Sequence, residues 1–138
     1  MLLKKVLAVL ISAVFLSACA GGSAPTKVTI TMTEFGFEPN AINVTAGSPV
    51  ELTLVNEGAI EHDFVIEKIS VDNVSVEGEG VGDHHMSGDH SEFDLHASTS
   101  AGATSTLTFI PTEFGTYQII CSVPGHKDAG MTGELIVK

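Results

Sequence analysis

Three side chains near the end of the 138-residue chain carry the clearest chemistry. In the stretch from Tyr117 to Gly133, YQIICSVPGHKDAGMTG, they are Cys121, His126 and Met131, with four residues between each and the next. A thiolate, an imidazole and a thioether on one short loop form a soft, partly neutral donor set. Such a set suits copper moving between Cu(I) and Cu(II). A fourth donor must come from elsewhere in the chain, and His62 is the best placed by type and position. Pro124 and Gly125 give the turn that lets His126 face the same ion as Cys121.

Such a site needs rigid elements around it, and the hydrophobic period supplies them. Val28, Ile30 and Met32 alternate with threonines. Ile42 and Val44 alternate next, then Val50, Leu52 and Leu54, then Phe64 and Ile66 just after His62. Glu34 to Asn40 and Ala46 to Pro49 read as turns. Alternation resumes over Thr104–Ile110 and Thr116–Ile120, and Gly133–Lys138 closes the chain. This period of two predicts half-buried strands. Seven or eight short strands with Gly/Pro turns predict an all-β, Greek-key antiparallel sandwich. Residues from roughly 70 to 100 break the pattern and read as a long polar insertion.

The first residues do not belong to that domain. Lys4 and Lys5 precede an apolar run, Val6 to Leu16, of secretory length. Leu16-Ser17-Ala18-Cys19 then resembles a bacterial lipobox. The resemblance implies a signal peptide over 1–18, cleavage before Cys19 and a lipid on its sulfur. Residues 19–26 read as the lipidated cysteine and a flexible tether, and 27–138 as the domain. The expected location is the extracytoplasmic side of a bacterial membrane. With Cys19 lipidated, Cys121 is the only free thiol in an oxidising compartment, so it has no partner for an intramolecular disulfide.

Removal of Lys4 and Lys5 leaves four lysines, no arginine and 17 acidic residues, a net charge of −13. That charge argues against nucleic acid as a partner, because phosphates are repelled. It favours a basic docking surface on a redox protein, and it equally serves solubility.

Beyond single residues, two stretches resemble the cupredoxins, small type 1 (blue) copper proteins of the plastocyanin and azurin type. They are FGFEPNAINVTAGSPVELTLVNEGAIEHDFVI and GTYQIICSVPGHKDAGMTGELIVK. The Cys-x4-His-x4-Met spacing is similar to auracyanin-like members. The resemblance implies one type 1 copper ion held by His62, Cys121, His126 and Met131. It also implies that His126 is the exposed ligand, collared by Ile60, Val123, Pro124, Ala129 and Gly130. The family usually carries asparagine after the first histidine, where it ties the two ligand loops together; here Asp63 stands there. Charged and facing the ion, Asp63 would favour Cu(II) and lower the potential; turned away, it would not.

Asp83 to His90, with His96 beyond, adds a second metal-binding composition: His84, His85, His90 and His96, with Met86 and several carboxylates. The bland reading is a solvated acidic loop. The function expected is therefore electron carriage between extracytoplasmic redox proteins, not enzymatic turnover. The alternative is a periplasmic copper-binding and delivery module that uses the insertion.

Overall fold

The computed structural model describes residues 23–78 and 92–138. Among the described residues, ten strands follow in chain order: β1 Thr26–Thr33, β2 Gly36–Glu38, β3 Ala41–Val44, β4 Val50–Asn56, β5 His62–Ile66, β6 Val71–Gly78, β7 Leu95–Thr99, β8 Thr104–Pro111, β9 Gly115–Ile120 and β10 Thr132–Val137. The described residues form no helix.

The strands make two five-stranded sheets, ordered β2-β1-β4-β8-β6 and β3-β10-β9-β5-β7. Alternate residues of each sheet point inward and meet in one core. Ile30, Met32, Leu52, Leu54, Leu107 and Phe109 come from the first sheet; Phe64, Ile66, Leu95, Ile119, Leu135 and Val137 come from the second. Burying side chains of this size stabilises the fold by about 1.5–3 kcal/mol each.

The all-β sandwich is therefore as the sequence pattern predicts, with two refinements. The sheets are mixed: β1 runs parallel to β4, and β3 parallel to β10. The described residues also form ten strands, because β2 falls in a stretch read as a turn, and β6 and β7 fall inside the stretch read as insertion. β6 pairs with β8 as an edge strand, its register shifting between Asp72 and Ser75 around Asn73 at φ 54°. A bulge at a sheet edge explains an asparagine there. Residues 79–91 and 1–22, including Cys19, His84, His85 and His90, lie outside the described residues.

Three connections decide where the chemistry sits. β5 runs antiparallel to β9, with Val65 opposite Ile120, so the start of β5 lies beside the end of β9. β10 is antiparallel to β9, with Thr132 opposite Ile120, so its start lies there too. His62 opens β5, Cys121 follows β9 and Met131 precedes β10. One end of the second sheet thus gathers three of the four expected donors, and the loop from Ser122 to Gly130 supplies the fourth.

Candidate metal centre

The loop that follows β9 is held by its own main chain. The His126 N–H donates to Val123 O at 3.1 Å, the Ala129 N–H to Gly125 O at 3.0 Å and the Met131 N–H to His126 O at 3.0 Å. Gly125 sits at φ 85°, a left-handed conformation that a side chain would oppose. The Cys121 N–H reaches Met131 O at 3.3 Å, tying the two ends of the loop together.

The loop before β5 is organised by Asn56, a buried amide. Its Nδ2 donates to Ile60 O and to Thr99 O, both at 2.8 Å, and its Oδ1 accepts from the Gly58 N–H at 2.8 Å. A side chain that replaces backbone partners in this way fixes a short loop against a neighbouring strand. Gly58 is required for room: a Cβ there would lie 2.5 Å from His62 Nε2 and 2.9 Å from Glu34 Oε1.

These two loops bring Cys121, His62 and His126 together. All three are buried, and one donor atom from each lies within 4.8 Å of the others. Cys121 Sγ stands 4.0 Å from His62 Nδ1 and 3.5 Å from His126 Nδ1. A first-row divalent ion about 2.0 Å from nitrogen and about 2.3 Å from thiolate sulfur, with the bonds spread near 120°, separates N and S by about 3.7 Å. The observed pair of distances brackets that value. Met131 is fully buried in the same core cluster as Cys121. The arrangement fits a type 1 copper site.

Electrostatics agree with a site built for a metal. Burial pushes the Cys121 thiol up, against the backbone N–H groups of Asp63 and Val123 that favour the thiolate. Burial, and then the neighbouring His126, push His62 down and keep its ring neutral. A neutral imidazole is the form that ligates, and the thiol proton has to leave when a cation arrives.

Asp63 turns away from the donors. Its carboxylate accepts from Ser98 Oγ at 2.6 Å and from Ser122 Oγ. What it offers the sulfur is its main-chain N–H, 3.4 Å from Cys121 Sγ. By bonding Ser122, the carboxylate joins the strand carrying His62 to the loop carrying Cys121. Burial works to raise its pKa, but nearby His96 and the two hydroxyls prevail and hold it at about 2. His96 Nε2 stands 3.7 Å from Oδ2, too far for a hydrogen bond, and acts through its charge when protonated. Of the four histidines read as a second cluster, His96 is the one described, and it lies on β7 between Asp63 and the ring of Phe93.

Two residues escaped the sequence reading. Glu34 and Phe35 form the turn between β1 and β2. Glu34 Oε1 accepts from the Ala59 N–H at 2.5 Å, and the Phe35 ring meets that of His126 edge-on, with centroids 5.4 Å apart. His126 consequently keeps only 6% of its surface exposed. It is the more exposed of the two histidines, yet it is buried rather than open to solvent. Phe35 sits at φ 66°, which costs a non-glycine residue about 1–2 kcal/mol.

A family model described as a cupredoxin-like domain matches residues 6–137. The chain belongs to the cupredoxin-like family. Auracyanin-A of Chloroflexus aurantiacus is 30% identical over 96% of this chain and 94% of its own length. The solved structure of auracyanin A, a "blue" copper protein, superposes with a TM-score of 0.62 at 25% identity, covering 83% of this chain and all of that one. The copper-resistant cuproprotein CopI of Rubrivivax gelatinosus is 29% identical over 74% of this chain. This cupredoxin chain spans 59% of that relative's length. Family membership and the donor geometry agree on copper as the ion the site suits.

Proposed function

We propose that the chain is a single-electron carrier with one type 1 copper, held by His62, Cys121, His126 and Met131. The observation that carries this reading is the meeting of a thiol and two imidazoles, all buried, at one end of the second sheet. When bound, copper supplies a one-electron couple that a thiolate and two imidazoles tune between its two states. The protein's own part is to hold still and stay dry. Asn56 fixes the first loop, Asp63 joins it to the second, and the loop ladder from Val123 to Met131 keeps His126 in place. Donors that do not move between oxidation states leave little reorganisation to slow transfer. No substrate is turned over in this reading.

The partner surface surrounds His126. Phe35, against the His126 ring, and Ile60, two residues before His62, are exposed apolar groups, and the acidic chain favours a partner with a basic rim. The expected setting is the outer side of a bacterial membrane, with Cys19 lipidated and a short tether after it that ends before Thr26, where β1 begins. Voltammetry of the copper-loaded protein tests the carrier reading. One reversible one-electron wave that survives fast scanning supports it; a sluggish or irreversible wave contradicts it.

Similarity to a protein named as copper-resistant supports a second reading, copper capture through the histidine-rich stretch. That reading requires more than one tightly bound ion per chain. Replacing His84, His85, His90 and His96 by serine then returns the count to one.

A further inference from the structure

The turn between β1 and β2 carries no predicted ligand, yet both of its residues reach the site. Such a two-residue turn with a positive φ at its second position normally takes glycine or asparagine there. This chain places phenylalanine at that position, at φ 66° and 49% exposed. Core burial does not account for it, since Phe35 stands outside the hydrophobic cluster. Its described ring contact is with His126, centroids 5.4 Å apart and planes at 81°. Pro124, Gly125 and Lys127, the neighbours of His126 on its own loop, are all exposed. The cover over the His126 ring therefore comes from another element.

Glu34, the other residue of the turn, faces the opposite ligand loop. Its carboxylate holds the Ala59 N–H, three residues before His62. It also shares the space around Gly58 with His62 Nε2. One turn thus touches both loops that carry imidazoles, from a direction that neither loop supplies.

We propose that Glu34–Phe35 is a positioning cap on the metal site: Glu34 pins the loop of His62, and Phe35 shields His126 and sets how readily the ion is exchanged. The proposal rests on the copper reading above. A bulky residue kept where glycine is easier is what a site cap predicts and what turn stability alone does not. Neither residue ligates; each acts through a histidine or its loop.

The test compares the whole chain with its Phe35→Gly and Phe35→Tyr variants. Copper-loaded protein is challenged with excess bathocuproine under reducing conditions, and copper release is timed. Loss of one edge-to-face ring contact is expected to speed release several-fold to about tenfold in Phe35→Gly, with Phe35→Tyr close to the parent. The metal-free Phe35→Gly protein is expected to melt at the same temperature or higher, because the turn is relieved. In metal-free protein, the His126 ring protons carry a ring-current shift that Phe35→Gly removes. That readout needs no copper, so it separates failure of the cap from failure of the copper site. Unchanged release, or faster release matched by an equally large drop in metal-free melting temperature, overturns the proposal. So do His126 ring protons that are indifferent to Phe35.

Discussion

At the scale of single residues, the site is prepared for a cation by what burial does to its acids and bases. The Cys121 thiol is pushed up and His62 is pushed down, so at neutral pH the metal-free thiol keeps its proton and the His62 ring is uncharged. Metal uptake at neutral pH is then expected to release about one proton and to tighten by about tenfold per pH unit. Calorimetry in buffers of different ionisation enthalpy checks this. Asp63 gives a second pH signature with the opposite geometry, facing away from the donors. Its folded pKa of about 2 lies below the ordinary 3.8. Its contribution is therefore complete above the unfolded value and is lost as pH falls from 3.8 toward 2. The two pKa values correspond to about 2 kcal/mol. The metal-free Asp63→Asn protein is expected to show a flatter acid limb across that window in denaturant titrations. The sequence showed an acidic residue where an asparagine is usual. It did not show that Ser98 and Ser122 would claim both carboxylate oxygens, because Ser98 lies 35 residues away on a strand with weak alternation.

At the scale of elements, two loops and one turn build the pocket, and the strands serve to bring their ends together. Asn56 is the staple of the first loop, and its Ala variant loses three hydrogen bonds in a buried place. A loss of about 2–3 kcal/mol of unfolding free energy is expected, measurable by urea titration. Gly58→Ala, by contrast, is expected to shift the spectrum of the loaded site more than the stability, since the added Cβ meets the His62 ring. The strands with regular alternation were legible in the sequence, including β4, β8, β9 and β10, as was the Cys-x4-His-x4-Met loop. What stayed hidden has physical causes. β6 is an edge strand with few buried residues and a bulge at Asn73, so it carries turn residues instead of a period. β7 alternates through Leu95, His96 and Ala97, too short and too polar to stand out from its surroundings. The role of Phe35 was unreadable because contacts across 91 positions of sequence leave no local trace.

At the scale of the whole molecule, a mixed two-sheet sandwich gathers the buried donors at one end of its second sheet, and the chain as a whole is strongly acidic. Ile60, on the loop before β5, is 46% exposed. Ile60→Asp is expected to slow electron exchange with a basic redox partner while leaving the visible spectrum unchanged, because the residue is exposed and is not one of the proposed ligands. Stopped-flow mixing with such a partner measures it, and an unchanged rate locates docking elsewhere. The central claim is that one ion is held by the sulfur of Cys121 together with the imidazoles of His62 and His126. The most direct measurement is the visible and EPR spectrum of copper-loaded protein beside its Cys121→Ala variant. The account predicts an intense thiolate-to-copper colour with narrow hyperfine splitting, both lost in the variant. A pale, ordinary Cu(II) spectrum, or a variant that keeps the colour, contradicts it.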